Sequence, residues 1–318
     1  KKGLAAPGGH ASQGSSDGHA SLRWPSCQGD SAGGLAVDLA LPALDQAAAL
    51  RHLAVLGVVV VDQLDVGEAR RLGRLRRRAP AADTTPPADL VDKLVLANRI
   101  LYDQGVVDGL GHVSARHPTE PGVFLLSCNR APAMVKRADI TCYDFDGNTV
   151  SDTTERPYLE RFIHGEIYRA RTDVMAVVHS HSPSVIPFGA ARQQLRPIFH
   201  MSGFLGEGSA LFDIREKHGE TDMLIRSPEL GRSLAECLGR HTCVLMRGHG
   251  STTVGLSVEQ VVFRAIYAEV NAKLQLQAHS LGEVQFLTPR EAQLGSDTND
   301  TQIPRSWNLW AQRVGAIE

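Results

Sequence analysis

The stretch at residues 176–183, AVVHSHSP, places two histidines one residue apart directly after an apolar run. The run predicts a strand, since valines favour extended structure. Side chains alternate between the two faces of a strand, so His179 and His181 leave the same face at its C-terminal end. Such a pair suits two ligands of one metal ion, but it also describes two ordinary surface histidines. The pair alone leaves both interpretations open.

Two other places in the sequence add weight to the metal interpretation. His249 lies in the segment RGHG, where a predicted strand meets a glycine turn. Glu160 lies on a predicted helix that leads into the strand ending at His179. Three imidazoles and one carboxylate suit Zn²⁺, Mn²⁺, Fe²⁺ or Co²⁺, and a carboxylate beside such an ion can also move protons. The alternatives are a solvated helix residue at Glu160 and a turn histidine bonded to backbone at His249.

The composition limits the classes of partner that the protein is expected to bind. A net charge of −2 over 318 residues offers no basic field for nucleic acid or an anionic membrane. The most apolar stretch, residues 53–64, is too short to span a bilayer, and the start, at Lys1, shows no signal-peptide pattern. Five cysteines, an odd number without a CxxC pair, argue against a disulfide framework. We therefore expect a cytoplasmic protein that acts on a small molecule.

The chain divides into four predicted segments. Residues 1–33 are rich in glycine, serine and histidine and are expected to be disordered or to derive from cloning. Residues 34–87 form an N-terminal extension and a proline-rich linker whose role is not readable. Residues 88–295 are predicted to form one catalytic domain, and residues 296–318 a C-terminal tail.

The pattern within the catalytic domain predicts an α/β fold. The predicted elements are a helix from residue 90 to a cap at Gly105, a strand at 123–127, a hairpin turn at Asp146–Gly147, a helix at 156–171, strands ending at His181 and at 242–250, and a long helix between Ser257 and Gly282. Helices and strands do not alternate strictly, and the sequence has no GxGxxG or GxxxxGK[ST] motif. This mixture favours a sheet with helices packed on its faces.

Three stretches of sequence, in this order, give the chain a family resemblance. GHVSAR at 111–116, PYLERFIHGEIYRARTDVMAVVHSHSP at 157–183 and VLMRGHG at 244–250 resemble the class II aldolase/adducin family. The resemblance covers residues 88–295 and implies an αβα fold with a central, mainly antiparallel sheet flanked by helices. It also implies a homotetramer with active sites near subunit interfaces.

The same resemblance assigns residue roles. It implies that Glu160, His179, His181 and His249 bind one divalent ion per subunit, with Mn²⁺ or Zn²⁺ favoured over Fe²⁺ or Co²⁺. Glu160 is also the catalytic candidate, since it can exchange a proton beside the metal.

The motifs also depart from the pattern of the family's sugar-phosphate aldolases. His112 replaces an Asn, Asn129-Arg130 stands where Thr-Gly is expected, and Tyr158-Leu159 replaces a Ser-Ser pair. The phosphate cradle is therefore largely gone, whereas Arg130 offers a planar fork for a carboxylate. The predicted substrate-binding residues are His112, Ser114, Asn129, Arg130 and His200.

These departures are similar to the decarboxylase branch of the family, whose members act on ortho-hydroxy aromatic or pyridine acids, several with a second carboxylate. The resemblance implies a metal-dependent carbon–carbon lyase of aromatic or heterocycle catabolism. One alternative is an aldolase cleaving a non-phosphorylated hydroxy-keto acid. The other is a non-catalytic adducin-like module, against which the retention of all four site residues argues.

Other polar and aromatic residues lie in or near the motifs and have predicted structural roles. His164, on the same predicted helix face as Glu160, is expected to make a structural hydrogen bond. The sequence leaves two interpretations of Arg247 open: an ion pair with a substrate carboxylate and a structural salt bridge. Cys128 has no evident base that would make it a nucleophile. The two tryptophans of the tail, Trp307 and Trp310, are expected to lie on a short helix that packs against a neighbouring subunit.

Overall fold

The computed structural model of the protein describes residues 85–150 and 153–315. Seven strands form one sheet within these residues: β1 His112–Arg116, β2 Val123–Ser127, β3 Ile140–Asp144, β4 Ala176–Ser180, β5 Ala210–Phe212, β6 Cys243–Met246 and β7 Gly250–Gly255. The α-helices are α1 Ala88–Asp103, α2 Arg161–Ala170, α3 Ile186–Ala190, α4 Arg215–His218, α5 Pro228–Leu238, α6 Val258–Leu281, α7 Pro289–Asp300 and α8 Ile303–Val314. Short 3₁₀ helices lie at Pro132–Met134, Arg137–Asp139 and His200–Leu205.

The sheet runs in the order β3-β2-β1-β4-β7-β6-β5. Every neighbouring pair is antiparallel except β5 and β6, which are parallel. The predicted α/β class with a mainly antiparallel sheet is therefore confirmed. In the register of β1 and β4, His112 lies directly opposite His179.

Strand alternation gives the sheet two different faces. On one face Val113, Ala115, Ala176 and Val178 pack into an apolar core with helices α1, α6 and α8. On the other face polar and aromatic side chains, such as Ser114 and Phe124, lie among aliphatic ones, and α2 covers them. Helix α5 packs closely on α2, since a Cβ at Gly231 would lie 2.5 Å from the carbonyl oxygen of Phe162. The sheet thus lies between two helical layers, and the face under α2 carries the paired residues His112 and His179.

Several predicted elements are confirmed. Helix α1 ends where expected, and Gly105 takes a φ of +69° just beyond it. Strand β2 has the predicted bounds. The long helix α6 begins at Ser257, whose side chain accepts a hydrogen bond from the backbone N–H of Gln260, and it ends at Gly282.

Other elements differ in extent. Helix α2 starts at Arg161 rather than at 156, so Glu160 is the residue before the helix rather than part of it. The strand predicted at 242–250 divides into β6 and the start of β7, because residues 247–249 form the turn between them. The predicted hairpin at Asp146–Gly147 is a turn, but its second arm makes only one isolated bridge, between Tyr143 and Thr149.

The predicted C-terminal tail belongs to the domain. The boundary at residue 295 falls inside α7, and α8 packs on α1 and α6. Trp307 and Trp310 are buried in that core, with Trp310 against the rings of Phe263 and Tyr267. The prediction that these tryptophans pack against a neighbouring subunit is therefore wrong: they fill an apolar groove of their own chain.

Within the described residues four buried cysteines take part in no disulfide: Cys128, Cys142, Cys237 and Cys243. In the part of the chain that the structure describes, no helix combines the length and the apolar character that a membrane crossing requires. The predictions for residues 1–33, and for nearly all of the extension at 34–87, lie outside the described residues.

Candidate metal centre and active site

Four side chains from three parts of the fold converge at one end of the central strands. Glu160, His179, His181 and His249 each bring one ligand atom into a group whose members all lie within 4.8 Å of one another. His179 lies at the end of β4, and His181 follows it at the same edge. His249 lies in the turn between β6 and β7, and Glu160 precedes α2. The structure thus brings together all four predicted metal ligands.

The distances between these atoms fit a metal ion. The Nε2 atom of His181 lies 3.3 Å from Nε2 of His179 and 3.1 Å from Nε2 of His249. The Oε2 atom of Glu160 lies 3.6 Å from Nε2 of His179 and 3.5 Å from Nε2 of His249. With metal–ligand bonds of about 2.1 Å, ligand atoms of a tetrahedral site lie about 3.3–3.5 Å apart. The donor set and its spacing therefore fit a divalent ion.

Hydrogen bonds hold the outer atoms of the ligands. Nδ1 of His249 donates to the carbonyl oxygen of Met223 at 3.1 Å, and Nδ1 of His179 lies 3.4 Å from Oγ1 of Thr252. The backbone N–H of Ile225 donates to Oε1 of Glu160 at 2.9 Å. These contacts leave Nε2 of both rings and Oε2 of the carboxylate directed at the shared centre, as outer-shell hydrogen bonds do in metal sites.

Sequence reasoning missed Met223 and Ile225. Both contribute backbone atoms, which leave no residue-type signature in a sequence. Met223 has a φ of +68°, an unusual conformation for a residue with a side chain. This conformation accompanies the placement of its carbonyl against His249.

Glycines permit the close approach of the segments. A Cβ at Gly250 would lie 2.1 Å from the carbonyl oxygen of Ser180, between the two strands that carry the histidines. Gly248, in the same turn, has a φ of +67°. The glycines that flank His249 therefore let the β6–β7 turn close onto the end of β4.

Burial and charge set the protonation of the cluster. Burial raises the pKa of Glu160, but electrostatic interactions with His179 and His249 and the hydrogen bonds to the carboxylate outweigh it and hold that pKa well below its usual range. Burial lowers the pKa of His181 and, more strongly, that of His179. Glu160 therefore favours the carboxylate, and His179 and His181 favour the neutral imidazole, which are the forms that bind metal.

His112 lies beside this cluster within a buried polar network. Its Nδ1 lies 2.6 Å from Nε2 of His164, and its ring contacts the rings of Tyr158 and His179. Nδ1 of His164 lies 2.6 Å from Oγ of Ser114, which lies 2.7 Å from the hydroxyl oxygen of Tyr168. Burial lowers the pKa of His164 to about 3. The expected structural hydrogen bond of His164 is thus present.

Ser114 has a different place from the predicted one. It is fully buried, and its hydroxyl contacts both His164 and Tyr168. A fully buried hydroxyl that contacts two groups inside the protein exposes no surface to a ligand. The prediction that Ser114 binds substrate is therefore corrected, and the residue supports His164.

Arg130 and Asn129 make contacts with residues outside the metal-ligand cluster. The hydroxyl of Tyr158 donates to the carbonyl oxygen of Arg130, which fixes this backbone beside His112. The guanidinium of Arg130 pairs with Asp139 at 3.0 Å. Asn129 is exposed, and its backbone N–H donates to the carbonyl of Arg156. A substrate carboxylate would have to compete with Asp139 for the arginine.

The remaining candidates have other contacts. His200 is exposed at the start of a 3₁₀ helix, where its carbonyl accepts a hydrogen bond from Asn299; no ring contact joins it to the metal cluster among the described residues. Arg247 pairs with Asp213 at 2.9 Å, which favours the salt-bridge interpretation. Burial and the neighbouring Asp139 raise the pKa of Cys128, which disfavours a thiolate nucleophile.

Comparison with known proteins agrees with this arrangement. The model of the family described as "Class II Aldolase and Adducin N-terminal domain" matches residues 92–276. The chain belongs to this family. The match contains all four residues of the metal-ligand cluster.

Several curated relatives are decarboxylases by name. Decarboxylase tropJ of Talaromyces stipitatus is 36% identical over 239 residues, which are 68% of this chain and 90% of that protein. The 3,4-dihydroxyphthalate decarboxylase of Arthrobacter keyseri is 34% identical over 200 residues, which are 60% of this chain and 79% of that protein. These relatives confirm the prediction of a carbon–carbon lyase within the class II aldolase family.

The solved structures agree on the fold. An aldolase II superfamily protein from Pseudomonas syringae superposes with a TM-score of 0.60 at 24% identity, covering 71% of this chain and 92% of that one. At this identity the similarity supports the fold alone.

Proposed function

We propose that this member of the family is a metal-dependent decarboxylase of an ortho-hydroxy aromatic or pyridine acid, with a dicarboxylate as the favoured substrate. The observation that carries the proposal is the cluster of Glu160 and three histidines, with ligand atoms within 4.8 Å, in a chain related to named decarboxylases. We propose one divalent ion per subunit, with Mn²⁺ or Zn²⁺ favoured, in a cytoplasmic homotetramer.

The residues support this chemistry in distinct ways. A divalent ion held by Glu160, His179, His181 and His249 would act as a Lewis acid toward the ring hydroxyl and the departing carboxylate. Loss of CO₂ leaves negative charge on the ring, and a proton must then reach the ring carbon. Glu160 has one oxygen at the cluster and the other fixed by Ile225, so we propose that its carboxylate would take the proton of the substrate's ring hydroxyl and return it to the ring carbon once CO₂ has left.

The surroundings of the cluster favour a flat ring. The rings of His112 and Tyr158 contact each other in a tilted arrangement, with centroids 4.7 Å apart, where the family's sugar-phosphate aldolases have small polar residues. Tyr158 is buried at this position. The proposed roles for the substrate are ring contact at His112 and recognition of the second carboxylate at Arg130, with Asn129 and His200 as further candidates.

The experiment is a screen of metal-loaded protein against matched pairs of acids. Each pair consists of one acid with a hydroxyl next to a carboxylate and the parent acid without ring hydroxyls, starting with 3,4-dihydroxyphthalate and phthalate, followed by hydroxypyridine dicarboxylates and their parent acids. The proposal predicts CO₂ release from the hydroxylated member alone. Cleavage of non-phosphorylated hydroxy-keto acids without any CO₂ from the aromatic acids would instead favour the aldolase alternative. Inertness toward both classes, despite bound metal, would favour the adducin-like module.

A further inference from the structure

A continuous series of hydrogen bonds joins two residues of helix α2 to two residues of strand β1 and ends beside the candidate site. It consists of Tyr168, Ser114, His164 and His112, joined by contacts of 2.7, 2.6 and 2.6 Å. The first three groups are fully or almost fully buried, and His112 is 4% exposed. Because these groups are shielded from water, each of their protons has to lie between defined partners.

The tyrosine end sets the direction of the chain. A phenol carries one proton and must donate it, and Oγ of Ser114 is the acceptor available to it among residues 85–150 and 153–315. The guanidinium of Arg116 lies over the phenol ring at 4.9 Å and offers only donors, so it cannot accept that proton. Ser114 therefore receives a hydrogen bond from Tyr168 and directs its own proton to Nδ1 of His164.

The direction then passes through both imidazoles. A neutral imidazole that accepts at Nδ1 carries its proton on Nε2, so His164 donates from Nε2 to Nδ1 of His112. By the same rule His112, accepting at Nδ1, carries its proton on Nε2. That nitrogen makes no hydrogen bond to any described part of the protein, and the ring lies 5.1 Å from that of His179.

We propose that Tyr168, Ser114 and His164 hold His112 in the tautomer protonated on Nε2, so that His112 donates a hydrogen bond to an anionic oxygen of the substrate. Three positioning residues thus fix one donor in advance, beside the metal ligands. A donor that is already oriented stabilises developing charge without reorganisation. The substrate contact rests on the proposed function, whereas the tautomer of His112 does not.

This series of hydrogen bonds determines which nitrogen of His112 carries the proton, but it does not supply a proton to the substrate. Passing a proton out through His112 would leave a phenolate at Tyr168, deep in the protein. Burial raises the pKa of Tyr168 well above its usual range, and that cost opposes the transfer. The nearby Arg116 lowers the pKa by less than burial raises it. The chain therefore acts on orientation, and the proton for the ring has to come from another group.

The first test reads the tautomer directly. The whole protein is labelled with ¹⁵N in its histidine rings and loaded with diamagnetic Zn²⁺. The His112 signals are assigned by their loss in His112→Gln. Nitrogen shifts and one-bond couplings show which ring nitrogen carries the proton. We expect protonated Nε2 in the wild type and a mixture of both tautomers in Tyr168→Phe. A proton on Nδ1 of His112 in the wild type overturns the proposal, whatever reaction the protein catalyses.

The second test measures the consequence. Tyr168→Phe should reduce kcat/KM by about 10- to 100-fold at unchanged zinc content, since a hydrogen bond to a charged group is weakened. Ser114→Ala interrupts the same chain with a smaller change and serves if Tyr168→Phe does not fold. The matched control is Tyr143→Phe, which removes another buried phenol hydroxyl, on β3 and outside the chain. Equal rates in wild type, Ser114→Ala and Tyr143→Phe would overturn the proposed role.

Discussion

His112 and His179 are directly paired residues on neighbouring strands, and their imidazole rings lie 5.1 Å apart. The antiparallel register of β1 and β4 therefore puts the first departure from the aldolase pattern against a metal ligand. One substitution at this position alters the site without disturbing the sheet, because the backbone pairing is the same for any side chain. The register thus places residue 112 of this chain beside one of the four residues of the metal-ligand cluster.

The metal site depends on His181. His181→Ala removes the imidazole whose Nε2 lies within 3.3 Å of Nε2 of both other histidines. We expect loss of stoichiometric metal and of activity, with a circular dichroism spectrum like that of the wild type. Metal content measured by mass spectrometry after gel filtration is the readout, and His279→Ala, on an exposed part of α6, is the control. Full metal occupancy in His181→Ala would remove this residue from the ligand set.

Glu160 should contribute to both metal binding and proton exchange. Glu160→Gln keeps the size of the side chain but removes its charge, and we expect turnover to fall by about 10²–10⁴-fold, the usual contribution of a positioned acid or base. Metal affinity should fall less than in His181→Ala. Steady-state rates at saturating metal separate the two effects, with the exposed Glu283→Gln as control. Near-normal turnover would assign Glu160 to structure.

Arg130 tests the choice of a dicarboxylate. If it binds the carboxylate that is retained, Arg130→Ala should cost about 1.5–3 kcal/mol, or about 10- to 150-fold in kcat/KM. Arg130→Lys should restore only part of this loss, because lysine cannot form the planar fork. The variants are compared on substrates with and without the second carboxylate. Equal losses on both substrates would mean that Arg130 serves only its salt bridge with Asp139.

Gly250 tests the close approach of the strands. A Cβ placed 2.1 Å from the carbonyl oxygen of Ser180 forces β4 and β7 apart at the site. We expect Gly250→Ala to lower the free energy of unfolding by about 1–3 kcal/mol or more and to weaken metal binding. Gly109→Ala is the control, since a Cβ there meets no atom within 4 Å. Urea denaturation gives the comparison, and equal midpoints for the two variants would contradict the packing argument.

The side chains that make the cluster were predictable, because each has a chemical signature at a position of obvious local geometry. Alternation along a strand places His179 and His181 on one face, and the glycines around His249 predict a tight turn. The antiparallel sheet followed from the family resemblance rather than from periodicity. Strand β7 was not predicted, because its sequence, GSTTVG, is polar and glycine-rich although all of it is buried.

Relationships across long stretches of sequence could not be predicted. The sequence shows that Ser114 shares a strand face with His112, but not that α2 lies over it and takes its hydroxyl. The same limit applies to Trp307 and Trp310. Two large apolar side chains near the end of a chain are equally compatible with an intramolecular core and with a subunit interface, and only the packing of α8 on α1 and α6 decides.

The most direct test of metal-dependent decarboxylation follows one protein preparation through three states. CO₂ release from the hydroxylated aromatic acid that turns over in the screen is measured on metal-loaded protein, after chelation, and after Mn²⁺ or Zn²⁺ is restored. We predict one CO₂ for each substrate consumed, loss of activity when metal analysis shows the site to be empty, and recovery with the ion. Undiminished CO₂ release from metal-free protein, or no CO₂ from any hydroxylated acid with metal bound, would contradict the account.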